Sequence, residues 1–321
     1  MKAAKLLAGL ALGMSVALGA QAAYPEKTIT VVVPFPAGGS TDAIARAIGP
    51  KITARFNQPW IIDNRPGATG AIGASMVKRA PADGYTLLAA SIGVYVMNPW
   101  LNKALTYDPA KDFDLLTVAV RAPNVLVASS NVKANTVQEL IAYLKQNPGK
   151  VSFASSGNGS SDHLTAELFW QKTGTSGLHV PYKGGAPAIT DLLGGQTDVS
   201  FVNINTALAH IKAGKLKVLA VTGEHRAAIL PKVPTLAEAG VQGVDIYSWQ
   251  AFAAPKGLPK DVKAKLHGAI VGALNEPDIK AKLIEQGFEI VANTPEQFEL
   301  FQRTESARWK SVIETGKITA D

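Results

Sequence analysis

The chain has 321 residues, 47% of them hydrophobic, and no cysteine, which excludes a disulfide framework, a thiol nucleophile and thiolate metal sites. That length and apolar content suffice for a core without covalent staples and suggest about two domains. The formal charge of +7 is spread along the chain, with no Lys/Arg block and no basic stripe interleaved with aromatics, so nucleic-acid binding is not expected and anionic partners are favoured only mildly.

Lys2 and Lys5 precede an apolar run over 6–18, and Ala20-Gln21-Ala22 offers small residues where a signal peptidase reads. The segment 1–22 is therefore expected to be a secretory signal peptide cleaved after Ala22, delivering the protein to the periplasm. An uncleaved anchor is the weaker reading, because the run is short and ends at a cleavage-type sequence. From Tyr24 onward, short β-branched runs alternate with helical stretches. Strand 28–33 leads to helix 42–56, with Ile44, Ile48, Ile52 and Phe56 on one face. Strand 60–63, helix 73–79 and strand 85–90 follow, then strands 115–120 and 125–128 around Pro123. Thr136 and Glu139 form a capping box that opens a helix to Asn147, stopped by Pro148-Gly149. Strands 151–154, 178–182, 199–202 and 215–221 then alternate with helices 162–172, 186–193 and 206–213. The tail predicts helices 261–274 and 277–286, a short strand 289–291, and a long helix from 295 to about 315.

Strands separated by single helices imply βαβ units. The expected fold class is α/β, two-lobed, each lobe a mostly parallel sheet flanked by helices, with two interlobe strand crossings. Residues 23–122 with 247–321 make the first lobe and 123–246 the second.

Three loops join a strand to a helix at the end where open α/β sheets bind ligands. They are Pro34-Phe35-Pro36-Ala37-Gly38-Gly39-Ser40-Thr41-Asp42, Ser155-Ser156-Gly157-Asn158-Gly159-Ser160-Ser161-Asp162, and Pro181-Tyr182-Lys183-Gly184-Gly185-Ala186-Pro187. Free N–H groups and the partial positive charge of a helix start stabilise an anion there. Paired glycines let it approach the backbone. Ser40, Thr41, Ser155, Ser156 and Ser160 add neutral donors. None of these loops contains Arg, and neither phosphate-loop pattern is present. The bland alternative for each loop is tight turns and helix caps. Asp42 is either a first-turn acid or an acceptor for a ligand hydroxyl or ammonium group.

Enzyme readings are weaker. Ala89-Ala90-Ser91-Ile92-Gly93 follows a strand but lacks the first glycine of a nucleophile elbow and shows no clear helix after it. His163 lies in the first turn after the serine-rich loop, so a hydrolase using Ser160 or Ser91 with His163 stands as the alternative to a capping or surface histidine. The five histidines show no metal-ligand spacing, and no cofactor is called for. Trp249 either lines the cleft or packs in the core.

Read in order, these loops together with Asn64-Arg65-Pro66-Gly67-Ala68, Ala82-Asp83-Gly84-Tyr85-Thr86-Leu87, His163-Leu164, Asp191-Leu192-Leu193-Gly194-Gly195-Gln196-Thr197-Asp198 and Val233-Pro234-Thr235-Leu236-Ala237-Glu238-Ala239-Gly240 resemble the Bug-type receptors. Those are the TctC-like substrate-binding proteins of tripartite tricarboxylate transporters. The resemblance covers nearly all of the mature chain. It implies a monomeric periplasmic receptor that closes on a di- or tricarboxylate, acidic amino acid or aromatic acid and delivers it to membrane permease subunits, with a signalling partner as another possible recipient. Matching positions nominate Gly38, Gly39, Ser40, Thr41, Asp42, Ser156, Gly157, Ser160, Gly184 and Gly185, with Asp198 and Asn203 at the floor of the cleft. Phe35, Ser91, Ser155 and Tyr95 complete the candidate set. Tyr95 stands where many relatives carry His, and Ile204-Asn205 departs from the family's usual wording, so both positions are expected to face the far end of the ligand.

Overall fold

The computed structural model describes residues 24–319, and the signal-peptide segment lies outside them. In chain order the elements are β1 (Ile29–Val33), α1 (Ser40–Phe56), β2 (Trp60–Asn64), α2 (Ala71–Lys78), β3 (Thr86–Ser91), α3 (Asn98–Leu101), β4 (Phe113–Ala128), α4 (Val137–Gln146), β5 (Ser152–Ser155), α5 (Ser161–Thr173), β6 (Leu178–Pro181), α6 (Gly185–Leu193), β7 (Val199–Asn203), α7 (Ile204–Lys212), β8 (Lys217–Val221), β9 (Tyr247–Pro255), α8 (Lys260–Asn275), α9 (Pro277–Glu285), β10 (Glu289–Ile290) and α10 (Pro295–Gly316).

The strands run β2-β1-β3-β9-β4 through one lobe and β4-β7-β5-β6 through the other, with β10 and β8 also pairing β4. The βαβ units give the parallel pairs β1–β2, β1–β3, β5–β6 and β5–β7. Every pairing of β4 and β9 is antiparallel. Each lobe's sheet is thus mostly parallel with antiparallel exceptions: in the first, β9 and β10 run against the other strands, and in the second β4 does.

Residues 115–120 and 125–128 belong to one strand, β4, not two. Pro123 cannot donate to a ladder and would ordinarily interrupt a central strand. It falls where β4 changes partners: Pro123 faces Tyr247 at the start of β9, and from Asn124 onward β7 takes over. β4 is one interlobe crossing. The other leads from β8 to β9, where Ile246 N donates to Thr222 O and Thr222 N to Asn124 O.

On α1, Ile44, Ile48 and Ile52 are buried as their spacing requires, each contributing roughly 1.5–3 kcal/mol of transfer energy. At α4, Thr136 caps Glu139 N–H, but the Glu139 carboxylate returns to Asn135 N–H, one residue before the cap. A full capping box occurs instead at α10, between Thr294 and Gln297. Its Phe298 packs edge-on against Tyr95 and Trp249, whose rings stack at 5.8 Å. A helical segment does follow β3: a wide turn over Gly93–Met97 runs into α3. Among the described residues no helix is long and apolar enough to cross a membrane.

Candidate functional site

Four helices begin at one cavity between the lobes. Gly39, Ser40 and Thr41 open α1 on the first lobe; Ser160, Ser161 and Asp162 open α5, Gly184, Gly185 and Ala186 open α6, and Asn203 and Thr206 open α7 on the second. Phe35, Thr69, Ser91, Ser156, Ser248 and Gln250 line the same space of about 50 Å³, room for a few waters or the head of a small acid. Among the described residues no Lys or Arg lines it, and Asp162 is the one ionisable side chain that does. Each helix start contributes about half a positive charge through its unpaired N–H groups. The cavity is therefore built to hold negative charge with dipoles and hydroxyls.

The lobes meet across it. Ser40 Oγ lies 2.7 Å from Asn203 Oδ1 and 2.6 Å from Asn205 Oδ1. A relay of amides and hydroxyls decides which of these is the acceptor. Thr165 Oγ1 donates to Ser161 O and so accepts from Asn124 Nδ2; Asn124 Oδ1 then accepts from Asn203 Nδ2. Asn203 Oδ1 is left to accept from Ser40, and Asn205 must turn its amide nitrogen toward the same hydroxyl. Gln250 Nε2 approaches Asn203 Oδ1 at 3.4 Å and Ser248 Oγ at 3.2 Å. Close backbone approach has a physical reason at Gly184: at φ 148° a Cβ would sit 3.0 Å from Pro36 Cδ of the other lobe.

Of the residues nominated from sequence, Phe35, Gly39, Ser40, Thr41, Ser91, Ser156, Ser160, Gly184, Gly185 and Asn203 come together here. The others lie elsewhere. Gly38 offers its N–H to Asp42, whose carboxylate is also held by Arg46 and Asn64. Burial alone would raise the Asp42 pKa, but these donors outweigh it and hold the group below the ordinary carboxylate range. Asp42 thus bonds within its own lobe and does not line the cavity. Asp198 precedes β7 while Asn203 ends it, about 16 Å along the strand. Its carboxylate takes Ser152 N–H and Oγ–H at the start of β5, so it pins the far end of the sheet, not the floor of the cleft. Tyr95 is 1% exposed, stacked on Trp249, with its hydroxyl on Ala251 O at 3.3 Å. It packs in the core and does not line the cavity, and Trp249 packs with it. Gly157 lines a neighbouring chamber.

Ser155 is buried and shares a 2.6 Å hydrogen bond with His179 Nε2. His179 stacks on His163 with centroids 3.8 Å apart; burial, then the neighbouring imidazole, push its pKa down to about 3. Ser160 Oγ accepts the backbone N–H of His163 as a helix cap. The His163 ring accepts Gly159 N–H at Nδ1 and turns Nε2 toward Glu167 at 3.6 Å. Ser160 and His163 therefore do not form a nucleophile–base pair. Among the described residues no group of three or more His, Asp or Glu could hold a metal ion.

Sequence reading missed Thr69, Asp162, Thr206, Ser248 and Gln250 as cavity-lining residues. Ser248 and Gln250 flank Trp249, so strand alternation, which sends neighbours to opposite faces, was the available signal. Asp162 is fully buried, accepts from Ser156 N–H and Oγ–H and from Ser161 Oγ–H, and has its pKa raised by burial despite these bonds.

A two-lobed α/β molecule with a donor-lined interlobe cleft has the architecture of a solute-binding receptor. The chain belongs to the TctC family, the tripartite tricarboxylate transporter family receptors, which matches residues 44–318. It is 37% identical to BugT of Bordetella pertussis over 295 residues, 91% of this chain and 90% of BugT. A protein of R. palustris solved with adipate is 36% identical and superposes with a TM-score of 0.90 over 92% of this chain and 99% of its own. MatC from Rhodopseudomonas palustris, solved with bound malate, is 30% identical with a TM-score of 0.87 over 90% of this chain and all, 100%, of its own. The family is one of periplasmic solute-binding receptors, not of enzymes.

Proposed function

We propose that this protein captures a small organic carboxylate between its lobes in the periplasm and delivers it to the membrane permease of a tripartite tricarboxylate transporter. The convergence of four helix starts on an interlobe cavity that no described Lys or Arg lines carries this reading. The adipate and malate of two solved relatives support a dicarboxylate. Residues 23–122 with 247–321 close against 123–246, and the hinges are the two crossings at Pro123 and Ile246. Ligand charge is met by donors from both bodies, which shifts the population toward the closed form that the permease recognises. Charge-assisted hydrogen bonds in a site that loses bulk water supply the energy. The protein acts as a monomer without cofactor and performs no bond chemistry.

A thermal-shift screen over mono-, di- and tricarboxylates, acidic amino acids and aromatic acids tests this. A carboxylate at about a hundred times its dissociation constant adds roughly 2.7 kcal/mol. Stabilisation by neutral solutes alone, or by none of these acids, contradicts the reading.

A further inference from the structure

The turn between β2 and α2 carries two adjacent non-glycine residues in the left-handed region, Ala68 at φ 46° and Thr69 at φ 48°, between Gly67 at 140° and Gly70 at 87°. For a β-branched threonine this conformation is strained and persists only where surroundings impose it. They do so from both lobes. Asn98 Nδ2 donates to Thr69 O at 3.2 Å, and a Cβ on Gly70 would strike Val94 at 2.6 Å. From the facing lobe, Asn158 O accepts the Thr69 hydroxyl at 2.6 Å. Gly157, at φ 127°, makes room for it: a Cβ there would lie 3.3 Å from Thr69 Oγ1 and 3.1 Å from Tyr182 O.

Thr69 also stands between chambers. With Phe35 and Ser156 it lines both the central cavity and a second interlobe chamber of about 170 Å³, which continues past Gly157 to Tyr182 and Lys183. Among the described residues no cationic side chain lines the central cavity, whereas Lys183 lines the second. A ligand that fits the first leaves the Thr69–Asn158 bond intact. A longer diacid must pass Thr69 to bring its far carboxylate toward Lys183.

We propose that Thr69 is an interlobe latch whose bond to Asn158 limits the length of the acid this receptor encloses. This rests on the carboxylate reading above. The test is calorimetric titration of succinate, adipate and suberate, diacids of increasing length, into the parent, Thr69→Val, Thr69→Gly and Thr69→Ser. Loss of one neutral hydrogen bond corresponds to about fivefold in an equilibrium constant. Thr69→Val and Thr69→Gly should raise the ratio of suberate to succinate affinity at least about fivefold, with Thr69→Ser restoring most of the parent's preference. A ratio constant within about twofold in both Val and Gly variants overturns the proposal. If no acid binds the parent, the carboxylate reading fails and small-angle scattering judges the latch by itself. A larger radius of gyration for Thr69→Val than for the parent then supports it, and equal radii overturn it.

Discussion

Asp42 and Asp162 lie in the first turns of α1 and α5, at matching strand-to-helix loops of opposing lobes, and the molecule treats them in opposite ways. On the first lobe, Arg46, Asn64 and the Gly38 N–H surround Asp42 and keep it ionised. On the second, Asp162 receives only neutral donors from Ser156 and Ser161, and burial raises its pKa. The first loop spends its acid on holding its own shape, leaving Ser40 and Thr41 to face the cleft. The second brings its acid to the cavity wall, where a charge would oppose an anionic ligand. On the proposed carboxylate reading the two lobes meet an anion unequally, and a pH dependence of binding is expected from the second.

The largest effect is expected from Asp42→Ala, which strands Arg46, Asn64 and Gly38 N–H and should cost on the order of 2–3 kcal/mol of unfolding free energy at neutral pH. The folded pKa is lowered, so this stability is present above the unfolded value and is lost as pH falls through the folded one. Denaturant unfolding of parent and variant should converge in acid; equal midpoints at pH 7 would break the comparison. Next, Ser40→Ala and Ser156→Ala should each weaken carboxylate binding about tenfold by titration calorimetry. If only one of them matters, a single lobe holds the anion.

Asp162→Asn should show the opposite signs from Asp42. Its folded pKa is raised, so its contribution is fully present below the unfolded pKa and lost as pH rises through the folded value. The variant should then be more stable than the parent at neutral pH. In the parent, carboxylate binding should tighten several-fold as pH drops through the raised pKa, and Asp162→Asn should flatten that slope. A slope unchanged in the variant removes Asp162 from the account. The smallest effect belongs to Tyr95→Phe: about 1 kcal/mol or less, from one long hydrogen bond, with no change in ligand preference. Altered selectivity there would contradict its placement in the core.

Much of the architecture was legible because amphipathic spacing and glycine-serine punctuation are local signals: α1, α5 and the three donor loops follow directly from them. β4 was not, since a proline between two apolar runs reads as a break unless the partner change at Asn124 is known. β9 was hidden for a related reason. It is buried on both faces, so beyond Gln250 its residues are all apolar and the brief alternation around Trp249 does not continue. Asp198 and Tyr95 were misplaced because position within a motif does not say at which end of a strand, or on which side of a turn, a side chain falls. Asp162 was overlooked because its role depends on Ser156, six residues earlier, folding back onto it.

The central claim is that amide dipoles and hydroxyls, without a cation, recognise the negative charge of the solute. Titration calorimetry of adipate against adipamide, and malate against malamide, tests it most directly. At least one diacid should bind at least about tenfold more tightly than its diamide, since a hydrogen bond to a charged acceptor exceeds a neutral one by about that factor. Equal affinity for each acid and its diamide would contradict the account.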